Sequence, residues 1–499
     1  MQKLFKSAWG HVFAVIVGIL FTLSFSPFDL PVLVFVALAI FRRLLIELNV
    51  QQALLRGFLF GLGIFGSGVS WVFVSMVVND QTSFIMPALM TLFYCSFWAI
   101  FPALAAYLYI KLQKNNSYDW LLFATVWVFV EFIRGEWVLN GFPWLQVAYS
   151  QLDTPLATYI PIVGVYGAGF ITVIIAALLA EIWLMPRHRK LCLLSIMLFF
   201  LVGLLLNNIN WTKVEGELIK VTLIQGNIAQ KDKWALENRN IILKQYYDDS
   251  AEYWDSDIII WPETAIPAYY SDVKDDYLLP LEQEALLHNT DIITSLPYKD
   301  TEGRLYNSVL VLGKNRAMYK KMHLLPFGEY LPWQPISGYV LGLMDIRLGN
   351  FSAGEPEQTL LQAAGHAFVT SICYEDAFGE QSIRSIEQAK FLVNVTNDGW
   401  FDGSIEPYQH MQIARMRALE SGRYLLRVTN TGVTAIVSAK GKIIKRAPVR
   451  ERYTITADIP PMTGLTPYAR MGDKPVIALV LLMLLGAALN KYLNIRVKV

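Results

Sequence analysis

Of the three cysteines in the chain, Cys95 and Cys192 lie in strongly apolar runs and Cys373 does not. Cys373 sits in Ser371-Ile372-Cys373-Tyr374-Glu375, directly after the apolar stretch Ala367-Phe368-Val369-Thr370. Upstream, Glu263 closes Trp261-Pro262-Glu263 and Lys321 closes Tyr319-Lys320-Lys321. Brought together at strand ends, a thiol, a carboxylate and an ammonium supply a nucleophile, a base and a stabiliser for an oxyanion. A neutral thiol is a poor nucleophile, with an ordinary pKa of about 8.5, so it needs both a base and a cation nearby. Each residue alone has an ordinary reading. A lone cysteine at a strand end is usually a small buried hydrophobe, Glu263 could flank a helix N-cap, and Lys321 beside Lys320 could be a solvated charge on an edge strand. The reading rests on the combination.

The elements that would position these groups alternate between strand and helix. Runs at 221–228, 258–261, 291–296, 308–312, 367–373, 391–396 and 426–437 are β-branched or aromatic and end at Gly, Pro, Asn or Asp. Segments 277–288, 379–389 and 408–423 carry apolar residues at three- and four-residue spacing with charges opposite. This pattern predicts α/β layers around a buried sheet. No internal repeat or low-complexity tract interrupts it.

The rest of the chain reads as membrane. At 54% hydrophobic, with 14 Trp and 28 Phe, it exceeds the roughly 45–50% apolar content of globular chains, and the aromatics suit interfacial belts. A net charge of +1 gives no reason to expect nucleic acid. Eight apolar spans are expected at 8–25, 30–41, 58–78, 84–110, 120–137, 159–184, 191–206 and 476–489. A crossing helix needs about 20 apolar residues, so the second, seventh and eighth depend on their flanks. Lys3, Lys6, Arg42, Arg43, Arg56, Lys111, Lys114, Arg187, Arg189, Lys190, Lys491, Arg496 and Lys498 all fall in alternate connections, while 26–29, 79–83 and 139–158 carry no Lys or Arg. By the positive-inside rule both termini are then cytoplasmic and the soluble part is outside. Lys3 and Lys6 before an apolar core also fit a cleaved signal peptide, but Ser24-Phe25-Ser26-Pro27-Phe28 offers no small-x-small cleavage site. The expected domains are a seven-span membrane domain at 1–212, an α/β domain at 213–468 and a C-terminal membrane helix at 469–499. The one thiol in the soluble part has no partner there for an internal disulfide.

Trp261-Pro262-Glu263, Lys321 ahead of Leu324-Leu325-Pro326-Phe327-Gly328-Glu329-Tyr330, and Ile372-Cys373-Tyr374-Glu375 resemble the Glu-Lys-Cys set of the nitrilase superfamily over residues 217–460. Gln225-Gly226-Asn227-Ile228, Asn397-Asp398-Gly399-Trp400-Phe401, Gln412-Ile413-Ala414-Arg415-Met416-Arg417-Ala418 and Gly141-Phe142-Pro143-Trp144 narrow the resemblance to the apolipoprotein N-acyltransferases, and extend it over nearly the whole chain. The resemblance implies an αββα sandwich on a membrane helical bundle of about eight spans, and a ping-pong reaction without cofactor or metal. The acyl donor would be a phospholipid, with phosphatidylethanolamine expected. The acceptor would be the N-terminal amine of a diacylglyceryl-cysteine on an apolipoprotein, at the periplasmic side of a bacterial inner (cytoplasmic) membrane. Glu263, Lys321 and Cys373 would be catalytic. Glu329 and Glu375 would orient the lysine and shape the pocket, Tyr374 would bound it, and Trp234 matches a functionally important position.

Other residues read more modestly. Asn394, Asn397 and Asp398 are expected to satisfy backbone groups around the site. His323 and His410 show no metal-ligand partner at suitable spacing and read as structural. Glu131 and Arg134, one turn apart near the outer end of the fifth span, read as a mutual helix-capping pair, since charges in a span are costly unless paired. The apolar, Gly-hinged run 336–344, with Leu343 and Met344, is expected to act as a lid dipping into lipid. A tethered amidase using water would share the triad but needs neither eight spans nor a lid. A transporter would need intramembrane ionisable residues, which the spans nearly lack.

Overall fold

The computed structural model describes residues 9–79, 84–114, 118–332 and 350–496. The chain divides into two compact units. The first comprises Met1–Asn210, Gly403–Gln412 and Arg470–Val499, and the second Trp211–Asp402 and Ile413–Ala469.

The first unit is helical: α1 (Trp9–Thr22), α2 (Val32–Leu44), α3 (Val50–Gly68), α4 (Val72–Asn79), α5 (Ile85–Leu112), α6 (Asp119–Phe132), α7 (Ile160–Leu184), α8 (Arg189–Leu206) and α9 (Lys474–Arg496). Among the described residues, Ile85–Leu112, Pro155–Leu184, Pro186–Leu206 and Lys474–Leu493 are long and apolar enough to cross a membrane, while Trp9–Thr22 is apolar but shorter. The expected third span, 58–78, is redrawn. Its helix α3 starts at Val50 because Asn49 and Gln52 form a reciprocal capping box, and it breaks before α4 begins at Val72. A search for apolar runs passes over such a polar first turn. Helices α1 and α3 touch backbone to backbone: a Cβ on Gly18 would lie 2.2 Å from the Phe60 carbonyl oxygen, and one on Gly63 2.2 Å from that of Val15. Without water to drive apolar association in lipid, this close small-residue contact supplies the packing. Arg42 and Arg56, read from sequence as loop charges, are buried. Arg42 pairs with Glu181, and Arg56 donates to the Leu44 carbonyl at 2.7 Å, partners that make buried charge tolerable.

The second unit contains β1 (Lys213–Val214), β2 (Ile219–Gln225), β3 (Ile258–Ile260), β4 (Asp291–Lys299), β5 (Leu305–Leu312), β6 (Ala317–Lys320), β7 (Leu361–Ala363), β8 (His366–Ile372), β9 (Phe391–Thr396), β10 (Tyr424–Thr429), β11 (Ala435–Val437), β12 (Ile443–Arg446), β13 (Tyr453–Ile459) and β14 (Met462–Thr463). Two six-stranded sheets run in the orders β13-β2-β3-β4-β5-β6 and β12-β11-β10-β9-β8-β7, and β1 pairs with β14. The two-residue period of a strand builds the layers. Ile258 and Ile260 of β3 join Phe391, Val393 and Val395 of β9 in one core shared by the two sheets, whereas Ile259 faces the other way into a cluster with Ile242, Leu243 and Tyr246 of helix Leu236–Ala251 and Leu281 and Ala285 of helix Leu279–Leu287. Beyond the second sheet, residues 413–421 of helix Glu406–Ser421 are almost wholly buried, and Arg415 donates to the Gly441 carbonyl at 2.8 Å. The layering is the αββα sandwich.

Several elements differ from the sequence expectation. The run 426–437 is not one strand. It turns back at 430–434, so that β10 and β11 pair antiparallel with Leu426 opposite Ile436. The helix expected at 379–389 stops after Gly379–Ile383. Strands β6, β7, β12 and β13 and helix Leu236–Ala251 were not anticipated. The segment expected to act as a lid, with Leu343 and Met344, lies outside the described residues.

Candidate active site

Lys321 and Cys373 each follow directly on a strand of the sandwich, and Glu263 follows closely on another. In open α/β sheets the carboxyl ends of parallel strands are where sites form, and β2-β3-β4 and β8-β9-β10 are the parallel cores of the two sheets. Glu263 stands three residues beyond β3. Pro262 lacks an N–H to continue a ladder, and the Thr264 N–H is held by Ser295 Oγ at 3.0 Å. Lys321 continues β6, with its N–H on the Asn307 carbonyl at 2.9 Å. Cys373 follows β8 at φ 52°, in the left-handed region, and opens the 3₁₀ turn Cys373–Ala377. A non-glycine residue there carries roughly 1–3 kcal/mol of strain, borne only where surrounding structure holds it.

Two glutamates brace the turns around these residues, and one of them reaches the cysteine turn. The Glu375 carboxylate, fully buried, accepts from the Tyr319 hydroxyl at 2.9 Å, from the N–H groups of Met322 at 2.7 Å and His323 at 3.0 Å, and from the Ile372 N–H at 2.8 Å. The first three flank Lys321 on one sheet, and the last precedes Cys373 on the other. One carboxylate therefore ties the lysine turn to the cysteine turn. Glu329 binds the Lys321 ammonium at 2.8 Å through one oxygen and at 2.9 Å through the other, and accepts the Leu325 N–H at 2.8 Å. The Asn307 side-chain amide donates to Glu263 at 2.7 Å and to Glu329 at 3.2 Å, which joins Glu263 and Lys321 through two bridging residues.

The electrostatics suit proton transfer within the site. Burial raises the Glu263 carboxyl above the usual carboxylate range against the pull of Lys321, and Glu329 adds to the rise. Burial and then the Glu263 charge push the Cys373 thiol well above its ordinary value, against Lys321. For Lys321 burial favours the neutral amine, but Glu329, Cys373, Glu263 and Glu375 outweigh it and hold the ammonium charged. The thiol, the carboxyl and the charged ammonium thus act on one another electrostatically. Such a set can relay a proton from sulfur as the sulfur attacks.

Near Cys373, Asn394 donates to Ser371 Oγ at 2.9 Å, and Arg427 donates to Asn394 and to Asp376, the latter at 2.7 Å. Arg427 also faces Asp398 at 3.5 Å, while Asn397 accepts the Gly399 N–H and donates to Gln230 at 2.8 Å. Asn394, Asn397 and Asp398 thus belong to the scaffold of the site. Tyr374 is buried against Phe378, whose ring stacks with His323 at 3.6 Å. Trp234 is 52% exposed, one residue beyond the short helix Gln230–Lys233.

In the first unit, His410 has a carboxylate one turn away, Glu406 at 3.4 Å, which the reading of its spacing passed over. Glu131 and Arg134 are spent on the loop after their helix rather than on capping it. Arg134 donates to the carbonyls of Phe142 and Trp144, both at 2.7 Å, and Glu131 accepts the Val147 N–H at 3.0 Å.

Sequence reasoning missed Asn307, Tyr319, Arg427 and Lys233. Lys233 is 3% exposed and donates to the Glu263 carbonyl at 3.0 Å. Asn307 sits in a strand whose burial is nearly unbroken, where an amide is out of place unless it has partners, and that was the available signal.

Comparison with known proteins agrees with this architecture. Residues 17–178 match the model of the apolipoprotein N-acyltransferase N-terminal domain, and residues 220–468 match the carbon-nitrogen hydrolase model. The apolipoprotein N-acyltransferase of Methylococcus capsulatus is 44% identical over 466 residues, covering 93% of this chain and 92% of its own. Those of Coxiella burnetii and Nitrosomonas europaea are 38% and 37% identical, covering 95% and 96% of this chain and 99% and 97% of their own. With a nitrilase-like sandwich and an apolar helical unit matched nearly end to end, the chain belongs to the apolipoprotein N-acyltransferase family.

Proposed function

We propose that this enzyme transfers an acyl chain from a phospholipid to the N-terminal amine of a diacylglyceryl-cysteine on an apolipoprotein, through a thioester on Cys373. The supporting observation is the hydrogen-bonded chain Glu263–Asn307–Glu329–Lys321 beside a thiol held at positive φ. In the first half, the Cys373 sulfur attacks the ester carbonyl as Glu263 takes its proton. The Lys321 ammonium faces the resulting oxyanion, where losing one donor typically costs about 10²–10³ in rate. Collapse breaks the ester C–O bond, the lysophospholipid oxygen receives the proton from Glu263, and the thioester remains. In the second half, the free amine attacks the thioester and gives a proton to Glu263. The C–S bond breaks, the leaving sulfur regains the proton, and an amide is released. An amide is more stable than a thioester, which sets the direction.

The raised Cys373 thiol favours this concerted sequence over a preformed thiolate, because the proton must leave as sulfur attacks. The expected donor is phosphatidylethanolamine, and the expected setting is the inner membrane with the sandwich on the periplasmic side. That orientation accords with the alternation of Lys and Arg along the chain. Glu329 would hold Lys321, Glu375 would join the lysine and cysteine turns, and Tyr374 and Trp234 would contact lipid or acceptor.

The decisive measurement is intact mass after incubation with phospholipid. The wild-type protein should gain one acyl-sized adduct that hydroxylamine removes, and Cys373→Ser should gain none. An unchanged adduct in Cys373→Ser would exclude Cys373 as the nucleophile.

A further inference from the structure

Lys233 is a buried ammonium that the reaction as described does not use. It ends the short helix Gln230–Lys233, between the charged Asp232 and the exposed Trp234, yet only 3% of it is accessible. Its Nζ lies 3.0 Å from the main-chain carbonyl oxygen of Glu263. Burying an ammonium costs several kcal/mol unless charge or hydrogen bonds repay it, so its place against this one residue calls for a reason.

We propose that Lys233 is a positioning residue for the reaction, holding the main chain of Glu263 and setting a second positive charge beside its carboxylate. The proposal rests on Glu263 being the base. The charged and titratable groups facing that carboxylate come from four places: Lys321 after β6, Glu329 in the following turn, Cys373 after β8, and Lys233 ahead of helix Leu236–Ala251. Two are cationic, and Glu329 opposes them. Burial and Glu329 favour the protonated acid, which cannot accept the thiol proton, and Lys321 and Lys233 favour the carboxylate, which can. Burial brings Lys233 down to about 8 with Glu263 resisting the fall, so near neutral pH it still carries most of its charge. Its tether to the Glu263 carbonyl also links the base to the chain segment bearing Trp234.

The test is the rate of thioester formation on Cys373, followed by intact mass as a function of pH, using the full-length protein in phospholipid-containing micelles. In Lys233→Met the acid limb of the profile should move up by about one pH unit, a loss of about tenfold at the acid end that recovers as pH rises. Lys233→Arg should keep the wild-type limb. An equal loss at every pH, or no loss, would overturn the proposal. Should Lys233→Met not fold, Lys233→Gln takes its place against Lys233→Arg: a limb displaced only in the Gln variant supports the proposal, and equal limbs refute it. Glu263→Gln run in parallel isolates the underlying reading. If that variant keeps both rate and acid limb, the base assignment itself is wrong, whatever Lys233 does.

Discussion

The Asn307 side chain donates to Glu263 at 2.7 Å and reaches Glu329 at 3.2 Å with the same amide nitrogen. Glu329 in turn grips Lys321. Glu263 and Lys321 are therefore linked through one strand, β5. Two carboxylates this close repel each other, and a shared donor offsets that repulsion while fixing both orientations.

Replacing Asn307 with Leu removes that donor at nearly constant volume. The fold should survive, because the sandwich core is untouched. Acyl-enzyme formation should fall by about 10- to 100-fold, corresponding to roughly 1.4–2.7 kcal/mol of lost organisation in the transition state. Single-turnover mass measurements of the thioester check this. Wild-type rates in Asn307→Leu would show that Glu263 and Glu329 are placed without it.

Glu375 makes a different demand, since its loss is structural first. Its carboxylate accepts from Tyr319, Met322, His323 and Ile372 with no exposure to water. In Glu375→Gln one acceptor oxygen becomes an NH₂ that faces N–H donors. Stability should drop by about 2–4 kcal/mol, because buried donors are left without acceptors. Chemical denaturation of the full-length protein measures the drop. Activity should fall with it, as the lysine and cysteine turns lose their tie. A protein as stable as wild type would mean that the turns are joined by packing instead.

These residues also show what sequence could and could not reveal. Glu263 and Cys373 were legible because each follows a recognisable apolar strand, and strand ends are where a sheet presents side chains to a site, whereas Lys321 follows the unanticipated β6 and was legible through its place ahead of Leu324-Leu325-Pro326-Phe327-Gly328-Glu329. Asn307 was not, because it lies mid-strand and its partners come from segments far away in sequence. Lys233 follows Lys231 and Asp232 in a polar stretch, where a lysine reads as solvated. Only the fold shows that this one turns inward. In the helical unit, apolar runs located most helices, but the buried partner of Arg42, Glu181, could not be paired with it from sequence. The 426–437 run was misread because its turn, Asn430-Thr431-Gly432, sits inside an apolar pattern that remains compatible with strand on both sides. Propensity reports local preference, and tertiary pairing decides where a strand reverses.

Lys321 supplies the sharpest test of the electrostatics. It is the cation that opposes burial and Glu263 at the Cys373 thiol. The rate of Cys373 alkylation by a small water-soluble reagent should therefore rise with pH in the wild-type protein, with a midpoint above the ordinary thiol value of about 8.5. In Lys321→Met that midpoint should move further up, so alkylation at a fixed mildly alkaline pH should slow. Loss of the same cation also favours protonation of Glu263, which would relieve its repulsion of the thiolate. The comparison is therefore made in a Glu263→Gln background, where that relief cannot occur. There the lost attraction at the sulfur acts alone. Digestion and mass analysis of the Cys373 peptide separates this signal from Cys95 and Cys192, which are buried in helices. A midpoint that fell on removal of Lys321 would mean that its ammonium does not stabilise negative charge at the sulfur, and its assignment to the oxyanion would then lose its electrostatic basis.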